Sequence, residues 1–191
     1  MLFLRELRPA LSLVVLFTLF LGFLLPEAFT GAMQLALPWQ ANGSLLKNNG
    51  EIVGSTLIGQ NFTDQKYFQP RPSALDKPYD AATSGAANLG PTSAALQTDI
   101  KQRVAAYIKA FGPGPVPADA VTSSGSGLDP DISLANALRQ APAVAAARHL
   151  PAGTVTALVE RLAHHAALGI VGTAHVNVLA LNLALDHPPA S

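Results

Sequence analysis

The chain has 191 residues, enough for one ordinary domain plus an anchoring segment. Its formal net charge is zero, which excludes the basic footprint of a nucleic-acid-binding domain and a polybasic membrane patch. Charged residues make up only 13% of the chain, and cysteine is absent, which removes disulfides, thiolate metal sites and cysteine nucleophiles together.

The first predicted element is a membrane-spanning helix. Pro9 to Pro26 (PALSLVVLFTLFLGFLLP) carries no charge, and as a helix it spans roughly 27 Å, close to the ~30 Å hydrocarbon core. It is apolar around its whole circumference, which distinguishes it from an amphipathic surface helix. Arg5 and Arg8 precede it, and the next basic residue is Lys47. The positive-inside bias therefore places residues 1–8 in the cytoplasm and, after a span over 9–30 and a connector over 31–43, an external domain over 44–191. The competing reading is a cleaved signal peptide. The apolar run is longer than a signal h-region, and Thr30-Gly31-Ala32 is a poor cleavage match, so an uncleaved anchor is expected. Thr18 and Gly22 form a small-xxx-small pair, candidates for packing against another transmembrane helix.

Beyond the anchor, Phe29 and Trp39 are suited to headgroup depth, and the domain is expected to begin near Trp39. Lys47-Asn48-Asn49-Gly50 predicts a turn between Ser44-Leu45-Leu46 and Ile52-Val53, hence a hairpin. Residues 69–93 are rich in Pro, Ser, Thr and Gly and lack periodicity; they read as a long ordered loop with Tyr79 and Leu89 as its anchors. A helix follows, capped by Thr92 or Ser93, with Leu96, Ile100, Val104 and Ile108 along one face and a stop at Gly112-Pro113. After a second Gly/Pro/Ser stretch, a helix is expected from Ile132 or Ser133, yielding at Pro142 to a further short helix. Thr154 to His165 carries a helical stripe of Val155, Leu158, Val159 and Leu162, and Asn177 to Asp186 is read as helix rather than strand. These elements give an α+β domain, with a small sheet from its first half and several helices from its second.

Candidate chemistry is sparse. Val121 to Leu128 (VTSSGSGL) could present backbone N–H groups to a phosphate, but no Lys follows as in a Walker loop, so a tight loop leading into a helix is favoured. Asp129 and Asp131 could share a hard cation, though helix capping is the commoner use of such residues. His164 and His165 cannot ligate from one helix face, no HExxH exists, and no GxSxG nucleophile elbow is present. Arg71, between Pro70 and Pro72, is pre-organised either for an external carboxylate or for an internal ion pair and loop carbonyls.

Seven blocks in register resemble the C subunit of the bacterial Kdp potassium-transporting ATPase: Leu7-Arg8-Pro9-Ala10, residues 38–44 (PWQANGS), 54–62 (GSTLIGQNF), 67–73 (YFQPRPS), 84–90 (SGAANLG), 121–129 (VTSSGSGLD) and 176–186 (VNVLALNLALD). They run from residue 7 to 186; departures are the absence of a glycine pair within Thr83 to Ala87 and a short C-terminus. The resemblance implies an accessory subunit of the bacterial inner membrane, beside a channel-like potassium-binding A subunit, a P-type ATPase B subunit and a small F peptide. A catalytic-chaperone role in ATP use is implied as well. ATP is cytoplasmic while nearly all of this chain is expected outside, so direct contact with nucleotide conflicts with the topology and an allosteric effect is preferred. No catalytic residue and no cofactor of the chain's own carries over. The matched blocks make Gln60, Phe62, Phe68, Arg71, Ser73, Asn88, Ser124, Ser126 and Asp129 the candidate partner-contact or signature-loop positions. The alternatives to the accessory subunit are a membrane-anchored binding module for a small ligand or metal and, third, a tethered hydrolase.

Overall fold

The computed structural model describes residues 2–48, 50–166, 169 and 171–186. The chain divides into two compact units, Met1–Leu45 and Leu46–Ser191.

The first unit is nearly all helix. Helix α1 (Leu2–Leu19), a π-helical turn (Phe20–Leu24) and α2 (Leu25–Ala36) follow without interruption. Pro26 accounts for the π turn. Proline has no N–H for the carbonyl of Gly22, and its ring crowds that carbonyl. Widening the turn lets the Leu25 N–H reach the Phe20 carbonyl instead. Within the helical stretch Arg5–Ala36 an 18-residue window has a mean hydropathy of 2.2 and none of it is buried, so by length and composition it can cross a membrane. Much of the expected connector is helical too. A short α3 (Pro38–Ala41) follows α2, and the Gln34 and Asn42 side-chain amides bond each other at 3.1 and 3.3 Å.

The second unit is α+β. Strands β1 (Leu45–Asn48) and β2 (Glu51–Ser55) pair as the expected hairpin. Gly50 supplies the positive φ of 87° that the turn requires, and Asn49 lies outside the described residues. Residues 59–93 contain no helix or strand, as the loop reading of 69–93 requires. Helix α4 (Ala94–Phe111) starts at Ser93, whose hydroxyl accepts the Leu96 N–H, and stops at Gly112 with φ 86°. Its inward face departs from the expected stripe. Steps of four residues advance about 40° beyond each full turn, so the row drifts outward. Ile108 is exposed, and Tyr107 and Phe111 take the inner positions.

A 3-10 turn (Ala118–Ala120) leads by loop to β3 (Asp131–Ser133), α5 (Leu134–Ala147), α6 (Ala152–Leu162), β4 (His175–Asn177) and α7 (Val178–Asp186). Strands β3 and β4 pair antiparallel, with Ile132 opposite Val176 and both side chains buried. This second sheet corrects two expectations. The sheet content is not confined to the first half, and the Gly/Ser loop leads into a strand, not a helix. Ile132 is a strand residue because one buried apolar side chain facing Val176 satisfies the two-residue period of a strand. Only at Ser133 does the chain turn helical, its hydroxyl accepting the Asn136 N–H.

Pro142 does not end α5, which continues to Ala147. An interior proline costs about 3 kcal/mol. Ala137, Ala141, Val144 and Ala145, on both sides of it, are all in the core with Val155 and Val159 of α6. Burying Val144 alone contributes about 1.5–3 kcal/mol, so packing of the continuous helix outweighs the penalty. The α6 stripe is as expected: Val155 and Val159 are buried, and Leu158 and Leu162 pack against the core.

Candidate functional site: a loop platform held by buried amides

The signature positions gather in the second unit, around the segment Lys66 to Ser73. It leaves a turn at Lys66, has no regular secondary structure from Phe68 to Ser73, and joins no sheet. Its backbone is paired instead by two side-chain amides projecting from helices. Asn182 of α7 accepts the Phe68 N–H at 2.8 Å and donates to the Phe68 carbonyl at 3.0 Å. Gln140 of α5 does the same for Gln69, at 2.8 and 3.1 Å. Both amides are essentially inaccessible to solvent, so each bond replaces one that water would otherwise make. Gln140 also donates to Asn136 Oδ1, which accepts the Tyr107 hydroxyl at 2.9 Å, while Asn136 Nδ2 donates to Asp119. Burial pushes the Tyr107 hydroxyl up to about 12, so it remains a donor throughout the physiological range.

The ends of the segment are fixed as well. Arg148 donates to the Lys66 carbonyl, the Leu185 carbonyl and Asp186 Oδ1, and its guanidinium lies 4.9 Å from the Tyr67 ring centroid. The Tyr67 hydroxyl donates to Asp186 Oδ2 at 2.8 Å. At the far end, Arg71 Nη1 reaches Asp129 Oδ2 at 2.7 Å and its backbone carbonyl accepts the Tyr79 hydroxyl. Of the two roles open to Arg71, the internal ion pair is the one formed. Its Nε has no hydrogen-bond partner among the described residues. Burial, and then the Asp129 carboxylate, hold the Tyr79 hydroxyl protonated.

Three loops close on this segment. Ser73 Oγ donates to the Gly127 carbonyl, Gly85 N–H to the Ser126 carbonyl, and Gly59 N–H to the Leu128 carbonyl. Within the Gly/Ser loop, Ser124 Oγ accepts the Gly127 N–H and Ser126 Oγ accepts the Leu128 N–H. The N–H groups that could have met a phosphate are thus turned inward at Gly127 and Leu128. Gly59 and Gly127 are required by contact. A Cβ on Gly59 would overlap the Tyr79 ring and stand 2.6 Å from the Asp129 carbonyl oxygen, and one on Gly127 would stand 2.7 Å from Leu75 Cγ.

The remaining candidates occupy different settings. Gln60 donates to the Val53 carbonyl of the hairpin, Phe62 packs on Tyr67 at 5.5 Å, and Phe68 is fully buried, a core residue without a contact surface. Asn88 is exposed with φ 52°. Leu89, expected as a loop anchor, is exposed, and Leu75 fills that role beneath Gly127. Capping by Asp129 and Asp131 is also corrected. Asp129 pairs with Arg71 and accepts the Asp131 N–H, while α5 is capped by Ser133 and, from a distance in sequence, by Asp119, which accepts the Ser133 N–H and hydroxyl. Asp131 has a raised pKa because burial penalises its charge, with His175 opposing the shift. Thr18 and Gly22 lie in the first unit, on α1 and the π turn.

Sequence reasoning missed Asp119, Asn136, Gln140, Arg148 and Asn182. The available signal was a polar amide on an apolar helix face, as for Asn182 among Val178, Leu179, Leu181 and Leu185, all buried.

Chemically, the arrangement is a stiff surface. The hydroxyls of Ser73 and Ser133 donate to oxygens of the fold, and those of Ser124 and Ser126 accept backbone N–H groups. Among the described residues, no group of three or more His, Asp or Glu is placed to hold a metal ion. Between the 61–73 segment and α4 runs a groove of about 360 Å³, walled by Phe62, Arg71, Tyr79, Arg103, Tyr107 and Phe111.

A profile of the family described as K+-transporting ATPase, c chain matches residues 7–187. Curated relatives carry the name potassium-transporting ATPase KdpC subunit. The protein from Caulobacter vibrioides is 52% identical over 190 residues, covering 97% of this chain and 96% of its own. That from Allorhizobium ampelinum is 51% identical over 184 residues, covering 96% of each chain. That from Mycobacterium bovis is 50% identical over 185 residues, covering 95% of this chain and 98% of its own.

Proposed function

The chain belongs to the KdpC family of K+-transporting ATPase subunits, and from that premise we propose that it serves as an accessory subunit that holds the pump together and contributes no bond-breaking chemistry. The observation that carries this reading is the pairing of a family match over nearly the whole chain with a site whose polar groups hold loops in place. Such a site fits a docking surface. In it the hydroxyls of Ser73, Ser124, Ser126 and Ser133 are engaged in hydrogen bonds that fix loops and the start of α5.

In this reading the apolar helix anchors the subunit in the bacterial inner membrane with residues 1–8 in the cytoplasm. Arg5 and Arg8 before the span, with no further cation until Lys47, support that orientation. The second unit stands outside and meets the channel-like A subunit, while the P-type ATPase B subunit carries the hydrolysis and a small F peptide accompanies them. Any improvement in ATP use arises because this subunit binds one conformational state of the assembly better than another, since only a differential affinity can shift such an equilibrium.

The test is co-purification in mild detergent from potassium-starved cells, with the recovered proteins identified by mass spectrometry. Stoichiometric recovery of a P-type ATPase and a multi-spanning potassium-channel-like protein is expected. Recovery of the chain alone from intact, induced membranes would sink the reading and favour an anchored binding module. Orientation is tested separately, because the chain has no cysteine. An impermeant maleimide added to intact spheroplasts is expected to label Gln97→Cys, exposed on α4, and spare Glu6→Cys; the reverse pattern would overturn the topology.

A further inference from the structure

In the second unit, an open trough of about 810 Å³ runs between one side of α6 and the C-terminal ends of α5 and α7, with Ala184 and Leu185 of the 176–186 block in its wall. Its existence follows from side-chain size. Ala147, Ala157 and Ala184, one from each helix, line it with methyl groups where longer side chains would fill the space, and Leu150 and Leu158 add apolar wall. Leu150 is 40% exposed, an apolar side chain at the trough left in water.

Two of its three lining cations are paired with carboxylates outside the lining, and the third, Arg161, is not. Lys66, Arg148 and Arg161 line the trough, and no carboxylate does. Arg148 is committed to Asp186 and to two carbonyls. Lys66 pairs with solvent-exposed Asp64 at 3.4 Å, a contact worth little, and lies 5.3 Å from the Tyr67 ring centroid. Arg161 forms no ion pair or hydrogen bond among the described residues. The trough therefore offers one uncommitted cation, Arg161, beside exposed apolar surface.

We propose that this trough docks a segment of another subunit of the pump, one that carries apolar side chains and at least one carboxylate directed at Arg161. The proposal rests on the reading of this chain as an assembly subunit. An open trough covers one side of its occupant, which suits an amphipathic segment with its other face on its own domain. An acyl chain is apolar around its whole circumference and would leave half of that in water. The carboxylate would gain a desolvated guanidinium partner, which sets register and orientation more than affinity.

The experiment uses the full chain in membranes holding the assembled pump, with a photoreactive amino acid in place of exposed Ala157 and, as a control, in place of Ala105 on the exposed side of α4. The expected product from position 157, and not from 105, is a crosslink to one segment of another subunit with an Asp or Glu among apolar residues. Arg161→Glu should lower its yield about five- to tenfold, because it sets two carboxylates against each other. Changing the partner's carboxylate to Lys should restore it. Far-UV circular dichroism of the Arg161→Glu chain shows that the fold is kept. Crosslinks only to lipid, to a second copy, or to nothing, from an assembly that is nonetheless intact, overturn the trough proposal alone. An unchanged yield with Arg161→Glu overturns it too. If the unmodified chain recovers no pump subunits, the subunit reading fails and the proposal falls with it.

Discussion

Asn182→Leu tests the claim that side-chain amides do the work of a sheet neighbour for the 66–73 segment. The substitution nearly preserves shape but leaves the Phe68 N–H and carbonyl without partners, in a place where Phe68 is fully buried and Asn182 is 2% exposed. Each buried backbone group left unsatisfied costs about 1–3 kcal/mol, so the two together cost roughly 2–6 kcal/mol. The leucine returns about 1 kcal/mol through its larger apolar surface. The net loss is then about 1–5 kcal/mol, and at roughly 2–4 °C per kcal/mol for a domain of this size the melting temperature falls by about 2–20 °C. The assay is thermal unfolding of the full chain in detergent, followed at 222 nm. Gln97→Leu on the exposed side of α4 serves as control and should move the midpoint by under ~0.5 kcal/mol. Limited trypsin digestion should also cut faster after Lys66 in the variant, because the segment beyond it has lost its ladder. A midpoint within ~2 °C of wild type, which is under about 1 kcal/mol, would refute the reasoning.

Other expectations follow from the same geometry. Gly59→Ala places a methyl against Tyr79 and the Asp129 carbonyl and should cost about 1–3 kcal/mol, whereas Gly90→Ala, with nothing within 4 Å of its added Cβ, should be near neutral; equal denaturant midpoints for the two would contradict the packing account. Removing Arg71 and Asp129 singly and together should show a coupling of about 1 kcal/mol or more in a double-mutant cycle, because the pair is only partly exposed; strict additivity would mean the 2.7 Å contact contributes nothing. Asp131 has a folded pKa raised above its unfolded value, so its charge penalises folding at neutral pH and the penalty disappears as the pH falls below the unfolded value. Asp131→Asn should therefore raise the melting temperature at pH 7–8, and the gain should shrink towards pH 4. A gain that grew on acidification would reverse the sign of this argument.

Local signals carried much of the fold. The cap at Ser93, the stop at Gly112, the 155/158/159/162 stripe and the turn ahead of Glu51 each reside within a few residues of the element they specify, so the sequence shows them directly. What escaped was non-local. Strands β3 and β4 are three residues each and pair across most of the C-terminal half, and neither is long enough to display a period. The continuation of α5 through Pro142 depends on α6 packing beneath it, a tertiary gain that no propensity reports. Asp119 caps a helix it precedes by fifteen residues in sequence, from within a 3-10 turn. The candidate site was half legible. Arg71, Ser73, Ser124, Ser126 and Asp129 do converge, but the amides that hold them there sit on helices whose apolar pattern hides a buried Asn or Gln among leucines and alanines.

The most direct test of the central claim is potassium-stimulated ATP hydrolysis by the detergent-purified pump prepared with and without this chain. The account predicts that activity falls when the chain is omitted, returns when the separately purified chain is added back, and is undetectable for the chain alone. Hydrolysis by the chain alone, or full activity in its absence, would contradict the assignment of an accessory, non-catalytic subunit.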